Sequence, residues 1–190
     1  VIYNSLSYTK QLKIRKKLKE CFIYRNHFKN TYPTLIFIGR LTNGKKLGLI
    51  IKSMQLAYHE GFNFNVVLVG EGPQKQQLEK LAKNYNMQKN IWFYGSCYNE
   101  EQIGELIYNA DLCVSPGNIG LTAMHSLMFG TPAITHNNFS NQMPEFEAIE
   151  DKITGCFFEE NNAEDLKDSI ISWLKNYPKK DKELVRACHN

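Results

Sequence analysis

Three short segments carry residue types that could do chemistry. In 39–48, GRLTNGKKLG, Arg40 and Lys45 stand five positions apart. Arginine offers a planar fork of donors and lysine a point charge, a pairing suited to a diphosphate whose charge is spread over two phosphoryl groups. The same two cations also fit a solvated loop of any basic protein. In 69–73, VGEGP, Gly70 and Gly72 either let the backbone approach a ligand or close a tight turn, and Pro73 suits the first position of a helix. A dinucleotide fingerprint is excluded, because G-x-G-x-x-G needs glycine where Lys75 stands. The third segment, 115–134, reads SPGNIGLTAMHSLMFGTPAI. Gly117 and Gly120 precede a helix expected to start near Leu121, whose first amides and dipole favour an anion. His125 comes one turn later, facing the same site or packing as an ordinary histidine.

The elements that must position these loops are legible as apolar runs alternating with helical patterns. Strands are expected at 34–39, 65–70, 91–94, 112–115, 132–135 and 154–158. Helices are expected at 47–58, 74–85, 100–109, 121–129 and 163–175, with a last one near 180–188. Strands that are apolar without alternation belong to a sheet covered on both faces. Repeated βα units of this length predict an α/β fold, a Rossmann-like doubly wound parallel sheet. Ligands of such sheets sit at the carboxyl ends of the strands, which is where all three segments fall.

Composition narrows the class. The 190 residues are 43% hydrophobic and 22% charged, with no low-complexity tract, which excludes disordered, collagen-like and coiled-coil chains. No apolar run is long enough to span a bilayer, and no secretory pattern opens the chain. Five cysteines without C-x-x-C spacing argue against a disulfide framework or zinc site and for a reducing, cytoplasmic setting. The net charge of +4 is uneven, with eight basic residues and one acid in the first 33 positions. There Ile14, Leu18, Cys21, Phe22, Arg25 and Phe28 recur at helical spacing, so residues 1–33 are expected to be a basic linker with an amphipathic surface helix. Its charge also allows peripheral contact with a membrane face. Nucleic acid is not expected, since no zinc-finger, RNP or helix-turn-helix pattern accompanies the charge. The main domain is expected over 34–176 and a helical tail over 177–190.

In order, GRL…K, LVGEGP, NIWFYG, YNADLCVSP and GL-x3-H-x4-GTPAI resemble the C-terminal domain of retaining GT-B glycosyltransferases, closest to the group 1 (GT4) family that builds surface glycans. The resemblance covers 34–176. It implies a domain that binds a nucleotide-sugar donor, without metal or cofactor, and that works with an upstream N-terminal Rossmann domain holding the acceptor. It implies that Arg40 and Lys45 stabilise the diphosphate leaving group and that the Gly120 and Leu121 amides meet phosphate or sugar oxygens. The backbone of Gly95, Ser96 and Cys97 would contact the base, with Gly70, Gly72, Asn118 and Thr122 completing the donor site. The family's E-x7-E motif is here G-x7-H: His125 stands where the second Glu touches ribose, and Gly117 where the first contacts the sugar. A neutral imidazole can still accept a ribose bond, Gly117 cannot replace a carboxylate, and Asn118 is its nearest substitute. The alternatives are a non-catalytic nucleotide-sugar-binding module or another GT-B enzyme, such as a nucleotide-sugar epimerase. A glycan phosphorylase would need a pyridoxal-phosphate lysine, which nothing here picks out.

Overall fold

The computed structural model describes residues 7–189. The first six positions of the basic segment and Asn190 of the tail lie outside the described residues. A six-stranded, all-parallel sheet forms the centre, in the order β3-β2-β1-β4-β5-β6. Its strands are β1 (Thr34–Ile38), β2 (Asn65–Val69), β3 (Ile91–Gly95), β4 (Leu112–Ser115), β5 (Ala133–His136) and β6 (Gly155–Phe158). Helices α3 (Gly48–His59), α4 (Lys75–Asn84), α5 (Glu100–Asn109), α6 (Thr122–Met128) and α7 (Ala163–Asn176) make the crossovers and the return after β6. The doubly wound parallel sheet read from the sequence is therefore present.

Alternate residues of each strand enter opposite cores. Leu35, Phe37, Val66, Leu68 and Ile134 pack with Ile50, Met54, Leu166 and Ile170 of α3 and α7. Ile36, Val67, Val69, Cys113 and Ala133 pack with Leu106, Ile107 and Ala123 of α5 and α6. This two-sided burial is why the strands read as unbroken apolar runs. Side chains cap α5 and α7: Asn99 Oδ1 accepts from the amides of Glu101 and Gln102, and Asn162 caps α7 in the same way.

The basic segment differs from the single helix expected of it. It forms α1 (Tyr8–Lys17) and α2 (Ile23–Phe28), with Leu18 already extended. At the break, the Cys21 amide donates to Asn109 Oδ1 at 2.8 Å, so it bonds across to α5 instead of continuing a helical ladder. Ile14, Tyr24 and Phe28 are buried against the α5 side of the sheet, whereas Phe22 is 69% exposed. The tail forms α8 (Lys182–Ala187), capped by Asp181, with Leu184 buried. Among the described residues no helix is long and apolar enough to cross a membrane.

Candidate functional site

Between β1 and β4 the strand order reverses, and the loops leaving these strands flank the resulting crevice. The first loop does not run straight into a helix at Lys45. It makes a 3-10 turn over Asn43–Lys45, and Lys46 adopts φ 52° before α3 begins. That turn lays its backbone on the β4–α6 loop: a Cβ on Gly117 would lie 2.1 Å from the Gly44 carbonyl oxygen and 2.8 Å from Lys45 Cα. Lys45 Nζ completes the contact by donating to the Asn118 carbonyl. Half-buried there, Lys45 has its pKa lowered by loss of hydration, and no carboxylate bridges it among the described residues. Arg40 lies exposed in the same loop, also without a carboxylate partner among the described residues.

The β4–α6 loop is fastened at several points. Thr135 Oγ1 lies 2.9 Å from the Ser115 carbonyl and 3.2 Å from that of Gly117. The Ile119 amide donates to Gln142 Oε1 at 3.0 Å, and Thr122 Oγ1 donates to the Ile38 carbonyl of β1 at 3.2 Å. Gly120 turns the chain with φ 50°. The amides of Thr122 and Ala123 donate back to Ile119 and Gly120, whereas those of Gly120 and Leu121 have no acceptor among the described residues. Helix α6 has seven residues, so these two amides rather than a long helix dipole are what the loop offers an anion.

The neighbouring lysine is neutralised. Lys46 Nζ is 2.5 Å from Glu160 Oε1, and Glu160 also accepts from Asn138 Nδ2 at 2.6 Å and Asn141 Nδ2 at 3.3 Å. These donors, the lysine first, hold the Glu160 carboxyl down at about 2. Of the two adjacent lysines, one is thus spent on bracing loops and the other keeps its charge uncompensated.

Gly70 and Gly72 have a backbone reason to be glycine. A Cβ on Gly70 would stand 1.9 Å from the Gly39 carbonyl oxygen, and one on Gly72 would stand 2.4 Å from that of Leu41. The two loops are also bonded, Leu41 N to the Glu71 carbonyl at 3.0 Å and Gln74 N to that of Leu41 at 3.0 Å. Pro73 precedes the N-cap Gln74 and is not the first helical residue expected. At the end of β3, Gly95 adopts φ 89°; beyond it Ser96 is exposed and Cys97 Sγ lies 3.6 Å from Gln102 Oε1. His125 is half-buried in α6. Burial lowers its pKa, and Glu100, the first residue of α5, is near enough to oppose that shift. No cluster of three His, Cys, Asp or Glu residues suited to a metal occurs among the described residues.

The profile of the family described as "Glycosyl transferases group 1" matches residues 20–188. This chain belongs to the group 1 glycosyltransferases. It is 30% identical over 120 residues to the GDP-mannose-dependent alpha-(1-6)-phosphatidylinositol dimannoside mannosyltransferase of Mycobacterium tuberculosis, covering 61% of this chain and 30% of that protein. It is 28% identical over 146 residues to the alpha-monoglucosyldiacylglycerol synthase of Streptococcus pneumoniae, covering 74% of this chain and 31% of that protein. The chain therefore spans about a third of the length of these relatives. The crystal structure of Anabaena Alr3699/HepE in complex with UDP superposes with a TM-score of 0.75 at 15% identity, over all of this chain and 51% of that one. Within this group 1 glycosyltransferase, position 117 has no room for a side chain. The backbone of the Gly44–Lys45 turn occupies the space a side chain would need. Lys46, Glu160, Thr135 and Gln142, which hold the loops, carry no motif spacing, and sequence reasoning passed over them.

Proposed function

We propose that this glycosyltransferase chain is the C-terminal, donor-binding half of a retaining GT-B enzyme of the GT4 type. It moves a hexosyl group from a nucleotide diphosphate sugar to a glycan or lipid-linked acceptor in surface polysaccharide synthesis. The observation that carries this reading is the uncompensated, half-buried Lys45 bonded to the loop that leaves the Gly120 and Leu121 amides unpaired at the sheet's switch point. An oxocarbenium-like transition state expels a diphosphate, and fixed cations and amides aimed at that charge lower the barrier without a metal. Arg40 and Lys45 fill this role. The Gly95–Cys97 backbone receives the base, and neutral His125 accepts from the ribose. Gly70 and Gly72 shape the floor of the donor site, and Asn118 and Thr122 border the sugar. UDP in the Anabaena structure and the GDP-mannose dependence of the mycobacterial relative support a nucleotide-sugar donor.

The donor domain runs over 34–176, between the basic segment 1–33 and the tail 177–190, whose described residues pack on it. An upstream Rossmann domain supplies the acceptor, since orienting the two reactants provides much of the rate. The chain works in the cytoplasm, with its basic segment available to the inner face of the membrane, and takes no cofactor beyond the donor. The replacement of both motif acids by Gly117 and His125 favours a second reading, a non-catalytic nucleotide-sugar-binding module. The test is to assay the 190-residue chain alone and joined to its upstream half against UDP-, GDP-, ADP- and dTDP-sugars. Transfer only by the joined protein supports the enzyme reading, donor binding without transfer in either form supports the module, and robust transfer by this chain alone overturns the division of labour.

A further inference from the structure

We propose that Gln142 is a positioning residue of the donor site: it holds the Gly117–Leu121 loop in the shape that leaves the Gly120 and Leu121 amides free for the diphosphate. The inference rests on the nucleotide-sugar reading and assigns a role to a residue outside every motif of the site. Gln142 Oε1 accepts from the Ile119 amide at 3.0 Å, while Nε2 donates to Thr135 Oγ1 at 2.8 Å and to the His136 carbonyl at 3.2 Å. Turning the side-chain amide over would set its NH2 against the Ile119 N–H, so its partners fix its orientation. Because Thr135 Oγ1 receives this donor, its own proton must point away from Gln142, to the carbonyl of Ser115 or Gly117. One side chain thereby fixes the Ile119 end of the loop directly and its Ser115–Gly117 start through Thr135. Lys45 takes the Asn118 carbonyl between them. The start of the loop, Asn118 and Ile119 are thus held by groups from three other segments, and the next two amides are left to a ligand. A loop ordered before binding does not subtract its ordering entropy from the affinity. Both ends of the Gln142 amide are already engaged, so its effect on a ligand passes through the loop.

The test uses Gln142→Met, similar in length but without either hydrogen-bonding end, and Thr135→Val, which removes only the relay hydroxyl. Whichever of UDP, GDP, ADP and dTDP binds the 190-residue chain best is titrated calorimetrically beside its nucleoside, and hydrogen exchange is read at the Ile119 amide. Gln142→Met is expected to weaken the nucleoside diphosphate at least tenfold and the nucleoside less than twofold, with at least tenfold faster exchange at Ile119, whose acceptor it removes. Thr135→Val is expected to show the same selectivity to a smaller degree, and carries the test should Gln142→Met fail to fold. Equal losses for both ligands would assign Gln142 a purely structural role, and unchanged diphosphate affinity would remove any role; either overturns the proposal alone. Absence of binding by the unaltered chain to all four nucleotides would overturn the nucleotide-sugar reading, and the proposal with it.

Discussion

Lys45 Nζ donates to the carbonyl of Asn118, tying the loop after β1 to the loop after β4 across the point where the sheet reverses its strand order. This bond seats an unneutralised ammonium on the loop that carries the two unpaired amides, and it uses one of the three ammonium protons. The remaining donors are available to an anion. Lys45→Met should weaken nucleoside diphosphate binding by about 1.5–3 kcal/mol, the range for hydrogen bonds to charged groups, and leave nucleoside binding unchanged. Calorimetry with both ligands checks this, and a parallel loss for the nucleoside would contradict it.

Gly117 is held to glycine by the Gly44 carbonyl oxygen, 2.1 Å from where its Cβ would stand. Gly117→Ala should therefore destabilise by about 1–3 kcal/mol, the usual cost of overpacking. At about 2–4 °C per kcal/mol for a domain of this size, thermal melting resolves it. Gly117→Glu should not restore an acidic contact to the sugar, because the β1 turn must move first. An alanine variant melting within a degree of the unaltered chain would contradict the close approach.

His125 has its pKa lowered by burial, with Glu100 opposing, so it is neutral at pH 7 and gains its proton only below the ordinary value of 6.5. The neutral ring accepts a ribose hydroxyl, and the protonated ring does not. Donor affinity should fall as the pH drops below 6.5, and His125→Gln, which keeps an acceptor but cannot titrate, should flatten that fall. The stability sign is the same: the unfolded chain takes up the proton first, so the folded state loses stability below 6.5. Affinity measured at fixed temperature between pH 5 and 8 separates the two effects.

Glu160 is held at about 2 by Lys46, Asn138 and Asn141, against 4.5 unperturbed. Its contribution to stability is complete above 4.5 and disappears as the pH falls toward 2. Glu160→Gln should remove that part of the acid dependence of the melting temperature and leave the profile above pH 6 parallel to that of the unaltered chain. Identical acid profiles would contradict the brace.

The sheet was legible because burial on both faces forces unbroken apolar runs such as Val66–Val69. The break between α1 and α2 was not. Cys21 and Phe22 sit at helical spacing, but the Cys21 amide bonds to Asn109, 88 positions away, and Phe22 faces out. The same limit applies at the site. That position 117 is glycine can be read from the sequence; that a turn some 73 positions earlier occupies the space of a side chain there cannot. Glycine at 70 and 72 suited either a ligand approach or a tight turn, and the backbone they admit is that of the neighbouring loop. Lys46–Glu160 and Ile119–Gln142 are joined across 114 and 23 positions, beyond any local pattern.

The central claim is that this end of the sheet binds the diphosphate of a nucleotide sugar. Its most direct test is calorimetric titration of the 190-residue chain and its Arg40→Ala variant with UDP, GDP, ADP and dTDP, each beside its nucleoside. The account predicts that at least one nucleoside diphosphate binds. It also predicts that Arg40→Ala weakens that diphosphate by about 1.5–3 kcal/mol while the nucleoside binds no worse. No binding of any of the four, or equal losses for nucleoside and nucleoside diphosphate, would contradict it.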